Sequence, residues 1–305
     1  MKDVPPTGGI GDRPMISPTR TGEDVVRALL ALETSNLLRF DPVAREGRSD
    51  EGVHQLRVSA RRLRSELRAI APIIRKKASD ELDTELRWLG TRLGRQRDLD
   101  VMNQLFHSRD DRPSFVDESL IPLIEDQQRA SRQRNDKVLC SKRYRRLIAH
   151  LSVAVVAPPV RTWATEPAVT SLMPGLRQVT YEFFSYVDAL GTTPTNDELH
   201  QVRIRAKLCR YNFDIASSYL GKDASDVAAS FEKIQTVLGD LHDRVVAVAF
   251  VRSMRPEYPP DVEEALEDPG LEATIRWLEE SEKKLKTKWH TPLSRARATS
   301  HALLD

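Results

Sequence analysis

Histidine and arginine recur at helical spacing in one stretch of the chain, and these are the side chains whose chemistry is most informative. The stretch carries His54, Arg57, Arg61, Arg64 and Arg68. At about 100° per residue, all five fall within an arc of roughly 80° on one helix, so they form a single cationic row. Guanidinium groups bind phosphate oxygens through a fork of donors, and histidine adds a donor whose charge depends on pH.

A second stretch repeats this row with His200, Arg203, Lys207 and Arg210. The segment VHQLRVSARRLRSEL, from Val53, aligns with LHQVRIRAKLCRYNF, from Leu199. A further pair, RLGRQRDLDVM from Arg92 and VLGDLHDRVVA from Val237, aligns at nearly the same offset. Because the offset is about 145 residues, the repeated unit is a whole bundle and not one turn of a solenoid.

An apolar stripe lies beside each cationic row. It consists of Leu56, Ala60, Leu63, Leu67 and Ile70 in the first stretch, and of Val202, Ala206, Cys209 and Phe213 in the second. An apolar stripe of this width is the face of a helix that packs into a bundle. Cys209 is therefore interpreted as a small hydrophobe and not as a nucleophile.

The simplest interpretation of a charged row is a solvated helix face, and another is internal pairing with acids. A solvated face normally places acids three or four residues from its cations, and these rows contain almost none before Asp214. Asp98 and Asp243 can pair with some of the cations, but the acids are too few for all of them. Because stacked like charges destabilise a helix, their presence in both halves favours an external polyanion.

Nucleic acid and an unbranched phosphate polymer both satisfy this electrostatic requirement. Readers of single strands interleave basic and stacking side chains, yet neither 57–77 nor 129–142 contains an aromatic residue. No duplex-reading motif is apparent. A third alternative, chelation of metal or acceptance of phosphate by His54 and His200, lacks an accompanying carboxylate or thiolate cluster. The residues favour a ligand without bases, and they predict neither a metal nor a cofactor.

The elements that must position these rows are helices, because helical periodicity recurs while no segment alternates polar and apolar residues for long. The predicted helices are Glu23–Phe40, Glu51–Lys77, Asp80–Phe106, Phe115–Leu151, Val169–Leu190, Asn196–Tyr219, Ala224–Arg252 and Asp261–Arg295. The proline-rich segment VVAPPVRTWATEP is the predicted linker between two halves. We therefore predict an all-α fold of two four-helix bundles, over 20–155 and 168–298, after a flexible N-terminal lead over 1–19.

Composition indicates where the protein is located, but it does not indicate which ligand it binds. The formal net charge is only +2, so the overall charge predicts no ligand, and the clustering of the charge is what matters. Cys140 and Cys209 are too few for a disulfide framework. The N-terminal lead has no apolar run, which predicts neither a signal peptide nor a membrane anchor. The protein is expected to be cytoplasmic, with no membrane partner.

Five segments, in this order, resemble the CHAD family, the conserved histidine α-helical domain. They are HQLRVSARRLR from His54, LGRQRDLDV from Leu93, SKRYRRL from Ser141, HQVRIRAKLCRY from His200 and IQTVLGDLHD from Ile234. The resemblance covers nearly everything after the N-terminal lead. It implies two bundles related by a pseudo-two-fold axis, with a basic groove or pore between them that binds inorganic polyphosphate. It also implies an association with polyphosphate granules.

Carried onto this sequence, the resemblance and the rows give one set of predicted polyphosphate-binding residues. The set is His54, Arg57, Arg61, Arg64, Arg68, His200, Arg203, Lys207 and Arg210, with Arg143, Arg146 and Lys288 as further candidates. The chain also departs from the family pattern. Asp214 replaces a more usual glutamate, and Leu208 and Cys209 stand where another arginine is common. The second row is therefore expected to bind less firmly than the first.

Catalysis is not expected, although Glu280, Glu282 and Lys284 match the E-x-E-x-K motif of triphosphatase tunnel domains. That chemistry needs alternate residues on a strand, which all point into one tunnel. On a helix, residues two apart diverge by about 200°. The surrounding segment WLEESEKKLKTKW has helical periodicity, so we predict a binding protein that does not hydrolyse polyphosphate.

Overall fold

Helices dominate the part of the chain that the computed structural model describes, which is residues 20–46, 51–107, 111–253 and 269–304. No β-strand occurs within those ranges, where β-type pairing is limited to isolated bridges. The predicted all-α fold class is therefore confirmed. The predicted N-terminal lead lies outside the described residues. Among the helices that are described, none combines the length and the apolar character needed to cross a bilayer.

The described residues of the first half form six α-helices, with a short π-helical turn at Val116–Leu120. They are α1 (Gly22–Glu46), α2 (Glu51–Ala69), α3 (Lys76–Arg92), α4 (Gly94–His107), α5 (Ile121–Leu139) and α6 (Lys142–Val156). The predicted second helix was too long: α2 ends before Pro72, which cannot continue a helix. The predicted third helix breaks at Leu93. The predicted fourth breaks before Ser141, whose hydroxyl caps α6 by accepting from the Tyr144 amide at 3.1 Å.

The second half contains five α-helices in the described residues. They are α7 (Ala168–Asp188), α8 (Asn196–Leu220), α9 (Lys222–Arg252), α10 (Pro269–Leu285) and α11 (His290–Leu304). Thr195 and Glu198 form a capping box at the start of α8. Gly221 alone separates α8 from α9, and its φ of 76° lies in the left-handed region that favours glycine. The predicted last helix is two helices, and residues 261–268 lie outside the described ranges.

The apolar core does not divide at the boundary between the halves. One buried cluster takes side chains from α1, α2, α3 and α6 of the first half and from α7, α8, α9 and α11 of the second. A smaller cluster joins α4 and α5 to α10 and the last turns of α9. Because both clusters cross the boundary, the halves pack as one unit. The separate bundle limits and the pseudo-two-fold axis remain predictions.

The helices that carry the two cationic rows are α2 and α8, and they pack against each other. Their predicted core faces are confirmed, because all nine apolar residues of the two stripes are buried. Cys209 is among them: it is buried, burial raises the pKa of its thiol, and the thiol donates to the Val179 carbonyl at 3.4 Å. Burial of these stripes fixes the rotation of both helices, and it thereby fixes where the rows beside them point.

Candidate functional site

The two rows converge where α2 meets α8. Burial lowers the pKa of Lys207 on α8, and repulsion from Arg61, Arg64 and Arg68 of α2 lowers it further. Burial also lowers the pKa of Arg203, Asp243 opposes this effect, and repulsion from Arg61 adds to it. Charges separated widely in the chain therefore lie within interaction range. These five residues of the two rows therefore share one region of the molecule.

Lys207 is the most perturbed cation in this region. Burial is the main reason that its pKa falls to about 6, and four arginines, Arg61, Arg64, Arg68 and Arg203, contribute the rest. Its ammonium group lies 5.8 Å from the centre of the Tyr211 ring. Across the described ranges it has no carboxylate within ion-pair distance and no hydrogen-bond partner. Burial without a counter-anion disfavours the ammonium form of this amine, and a bound anion would favour it again.

Arg61 is the exposed counterpart of Lys207 on α2. Its guanidinium group makes neither an ion pair nor a hydrogen bond with any residue that the structure describes. It also lies near enough to Lys207 and Arg203 to shift the pKa of each. These three residues form a group that we call the junction cluster: Arg61, Arg203 and Lys207.

Arg203 lies against the backbone of α9 at Gly239. Its Nε is 3.6 Å from the point that a β-carbon on Gly239 would occupy, and this buried Nε has no hydrogen-bond partner. In the first half, Arg57 lies in the same way at Gly94, with Nη1 3.8 Å from the corresponding point. Arg57 also donates to the Gly94 carbonyl and, at 3.1 Å, to that of Leu93. Arg57 thus supports the break between α3 and α4, while Arg203 keeps more of its donors available.

A histidine pair extends the second row. The His200 and His242 rings lie 4.4 Å apart, and His200 Nδ1 is buried without a hydrogen bond. They border a cavity of about 270 Å³ between α8 and α9. Burial lowers the pKa of both rings, to about 4 for His242, and Arg203 contributes to each shift. His54, the residue aligned with His200, is also half-buried.

His242 was not among the predicted site residues. In the repeat alignment it stands opposite Arg97, within the second pair of matching segments. A basic side chain at that position in both halves is the signal that could have identified it.

Arg64 and Arg68 have an internal counter-anion, Asp83 of α3. The Arg64 Nε donates to Asp83 at 2.9 Å, Arg87 pairs with the same carboxylate at 3.0 Å, and Arg68 lies 3.9 Å away. Burial opposes ionisation of Asp83, but hydrogen bonds from Arg64 and Arg87 lower its pKa. One carboxylate therefore serves three guanidinium groups and leaves this end of the first row with excess positive charge.

Arg210 points into the protein and not into the junction cluster. Its guanidinium group is nine-tenths buried and lies 2.9 Å from Glu232 and 3.7 Å from Asp214. It also donates to the Gln235 amide oxygen at 3.4 Å. These contacts make Arg210 a structural residue between α8 and α9, so its predicted role as a ligand has no support from the geometry.

The further candidates lie away from the junction cluster. Arg143 makes a two-pronged contact with Glu85, at 2.8 and 3.0 Å, and stacks 4.5 Å from Trp88. The positive charge of the exposed Arg146 helps to lower the pKa of the same carboxylate. Since Glu85 is two residues after Asp83, it projects to the other side of α3. Lys288 is exposed between α10 and α11. Burial raises the pKa of Asp240 of α9, and the positive charge of Lys288 opposes that rise.

The acidic motif of the last helices has the geometry of a helix surface. Glu280, Glu282 and Lys284 lie on α10, so they cannot all face one tunnel. Glu282 accepts from Asn196 at 2.9 Å and pairs with Lys286 at 3.1 Å. In the described part of the chain, no group of three or more histidine, cysteine or acidic side chains is arranged to hold a metal ion.

Comparison with known proteins relates this arrangement to one family. The family model described as CHAD domain matches residues 28–252. Two uncharacterized proteins of Mycobacterium tuberculosis are each 29% identical over 233 residues, which is 73% of this chain but only 44% of their length. The chain thus spans less than half the length of these curated relatives.

Solved structures show the same fold. The CHAD domain from the plant Ricinus communis superimposes with a TM-score of 0.71 at 22% identity, over 96% of this chain and 98% of that one. PptA from Streptomyces chartreusis gives a TM-score of 0.62 at 18% identity, over 92% of this chain and 99% of that one. At such identities the likeness concerns the fold alone.

Proposed function

Because the chain belongs to the CHAD family, we propose that it binds inorganic polyphosphate where α2 meets α8. The observation that carries the proposal is the junction cluster. Arg61, Arg203 and Lys207 come from both halves, lie within interaction range, and form no ion pair closer than 4.0 Å with a carboxylate in the described ranges. A fold that holds three basic side chains together at a helix contact, without acidic partners at ion-pair distance, is suited to an anion that binds all three at once.

The energetics favour a ligand with several linked charges. Each cation that the protein keeps without a counter-anion raises the free energy of the unliganded state. A polymer that contacts one cation presents its next phosphate at high effective concentration to the neighbouring cation. A chain of phosphates therefore gains more from this cluster than the same number of separate phosphate ions would gain.

The surroundings of the cluster favour a ligand without bases. Tyr211, whose ring lies under the Lys207 ammonium position, is buried at 3% exposure, so it offers no open face on which a nucleobase could stack. The arginines and the lysine supply donors for phosphate oxygens. Nucleic acid remains the alternative ligand because it carries the same backbone charge.

The biological consequences follow from binding alone. We propose that the protein acts without catalysis and associates with polyphosphate granules through the junction cluster. Retention on granules requires only many weak contacts along one polymer, since their summed affinity can far exceed that of a single contact. No reacting group is needed for this role.

The direct test is a titration of the purified protein with long-chain polyphosphate, short-chain polyphosphate, RNA and DNA at two salt concentrations. We expect long-chain polyphosphate to bind most tightly, and its affinity to fall steeply with salt because many phosphate contacts release counterions. An affinity for RNA equal to that for long-chain polyphosphate would favour the nucleic-acid alternative. No binding of either phosphate chain would overturn the proposal.

A further inference from the structure

A basic pocket lies at the end of the first cationic row. It has a volume of about 390 Å³ and is bounded by the last turn of α2, the first three turns of α3 and the segment that joins the two halves. Arg68, the last member of the row, lines it together with Lys76, Arg87 and Arg161. The row and the pocket thus share one arginine, Arg68.

The joining segment is fixed in place beside this pocket. The Arg75 amide donates to the Pro159 carbonyl at 2.7 Å, and the Arg161 amide donates to that of Ile73 at 2.8 Å. The Trp163 indole donates to the Pro72 carbonyl at 3.0 Å. The segment that sequence alone presented as a linker is therefore bonded to the turn after α2. It forms a fixed wall of the pocket.

Arg161 is held in a defined position within that wall. Its Nε donates to the Ile74 carbonyl at 2.9 Å, and its guanidinium group lies 5.1 Å from the centre of the Trp163 ring. No carboxylate in the described ranges pairs with it. The two terminal nitrogens of a guanidinium fixed in this way remain available for phosphate oxygens.

The charge balance of the pocket is positive. Four cationic side chains face two carboxylates, Asp80 and Asp83. Lys76 pairs with Asp80 at 2.7 Å, while Asp83 is already shared by Arg64, Arg87 and Arg68. Arg68 and Arg87 remain 55% and 64% exposed. The pocket therefore keeps donors that its own acids do not occupy.

We propose that this pocket binds additional phosphate groups of a polyphosphate chain whose preceding groups occupy the junction cluster, through Arg68, Arg87 and Arg161. The inference rests on the proposed function, because it assigns a path to the same ligand. A chain that leaves the cluster along α2 meets Arg64, then Arg68, and then the pocket. A short chain held by the cluster ends before it reaches Arg87 and Arg161.

This path predicts an effect that depends on chain length. The double variant Arg87→Gln with Arg161→Lys removes one charge and two guanidinium forks from the pocket, and it leaves the junction cluster intact. We expect its affinity for long-chain polyphosphate to fall roughly tenfold, with no change for short-chain polyphosphate. The single variant Arg87→Gln, which leaves the joining segment untouched, is expected to show a smaller loss with the same length dependence.

Arg252→Gln is the matched control. Arg252 is an arginine of similar exposure, 55%, paired with one carboxylate, Glu279, at the far end of α9, and we expect its loss to leave both affinities unchanged. Wild-type long-chain affinity in both pocket variants would overturn this inference, as would an equal loss for short and long chains. If the wild-type protein bound neither chain, the proposed function itself would fail, and that result is distinct from both.

Discussion

When Lys207 is protonated, its ammonium group and the guanidinium group of Arg61 repel each other across the contact between α8 and α2. Neither has a carboxylate partner among the residues described here. Bringing such groups together in their charged forms raises the free energy of the unliganded protein, and a bound polyanion lowers it again. Stability and affinity are therefore expected to respond in opposite directions when these charges are changed.

The affinity for long-chain polyphosphate is expected to depend on pH. In the free protein the pKa of Lys207 is about 6, because of burial and neighbouring arginines. A bound polyanion raises that pKa, so binding takes up a proton between about pH 6 and the raised value. Affinity should therefore fall by up to about tenfold per pH unit above pH 6. Calorimetry in two buffers of different ionisation enthalpy measures the proton uptake directly.

Substitution by arginine identifies the group responsible for this proton uptake. Lys207→Arg keeps the charge but does not titrate near neutral pH, so its affinity should be nearly constant between pH 6 and 8. The same exchange at the exposed Lys288 should leave the pH dependence as in the wild type. His242, whose pKa is about 4, should add a second pH range, at lower pH, in which binding takes up a proton. An unchanged pH profile in Lys207→Arg would exclude Lys207 as the coupled group.

Charge reversal at Arg61 should separate binding from folding. Arg61 is exposed and unpaired, so Arg61→Glu, which relieves repulsion, is expected to raise the free energy of unfolding by no more than about 0.5 kcal/mol. Affinity for long-chain polyphosphate should fall by about tenfold or more, because the new carboxylate repels the phosphates that the guanidinium attracted. Thermal unfolding and titration of the same sample measure both quantities. A similar affinity in Arg61→Glu and the wild type would remove the junction cluster from the binding site.

Arg57→Glu provides the contrast. Arg57 donates to the backbone at the break between α3 and α4, so its reversal should lower stability as well as affinity. A stability loss confined to Arg57→Glu would separate the two arginines, although they lie on the same row.

The glycine beneath Arg203 allows a graded test of the second row. Gly239 lies inside the continuous helix α9, and a β-carbon there would be 3.6 Å from Nε of Arg203, an ordinary contact. Gly239→Ala should therefore raise the free energy of unfolding by up to about 1 kcal/mol and leave affinity unchanged. Gly239→Leu should displace the guanidinium group and weaken binding while α9 remains helical. Equal affinities in the two variants would mean that the position of Arg203 does not matter.

Periodicity predicted the rows and their core faces because both are local properties of one helix. The burial of Leu56, Ala60 and Leu63 follows from spacing alone. The breaks at Leu93 and before Ser141 were missed because the apolar pattern continues across them, although the Ser141 cap is a local signal.

Partners distant in the chain could not be predicted from spacing. The contacts of Arg64 with Asp83 and of Arg210 with Glu232 depend on how helices pack. Sequence therefore assigned Arg64 and Arg210 the same role. In the structure, Arg64 shares the carboxylate of Asp83 with other arginines at the edge of the row, whereas the buried Arg210 pairs with acids of its own helix and of α9. Only the packed helices distinguish a cation available to a ligand from a cation that holds two helices together.

The two roles considered for Arg210, helix contact and phosphate ligand, give opposite results when the residue is replaced. If Arg210 joins α8 to α9 through Glu232 and Asp214, Arg210→Met should lower the free energy of unfolding by about 2–3 kcal/mol, since it leaves the buried Asp214 with less compensation. The folded fraction should still bind long-chain polyphosphate with wild-type affinity. Denaturant unfolding and titration below the transition measure the two effects, and Arg210→Lys, which retains the charge, should lose less stability. An Arg210→Met protein with normal stability and an affinity as low as that of Arg61→Glu would instead place Arg210 among the phosphate ligands.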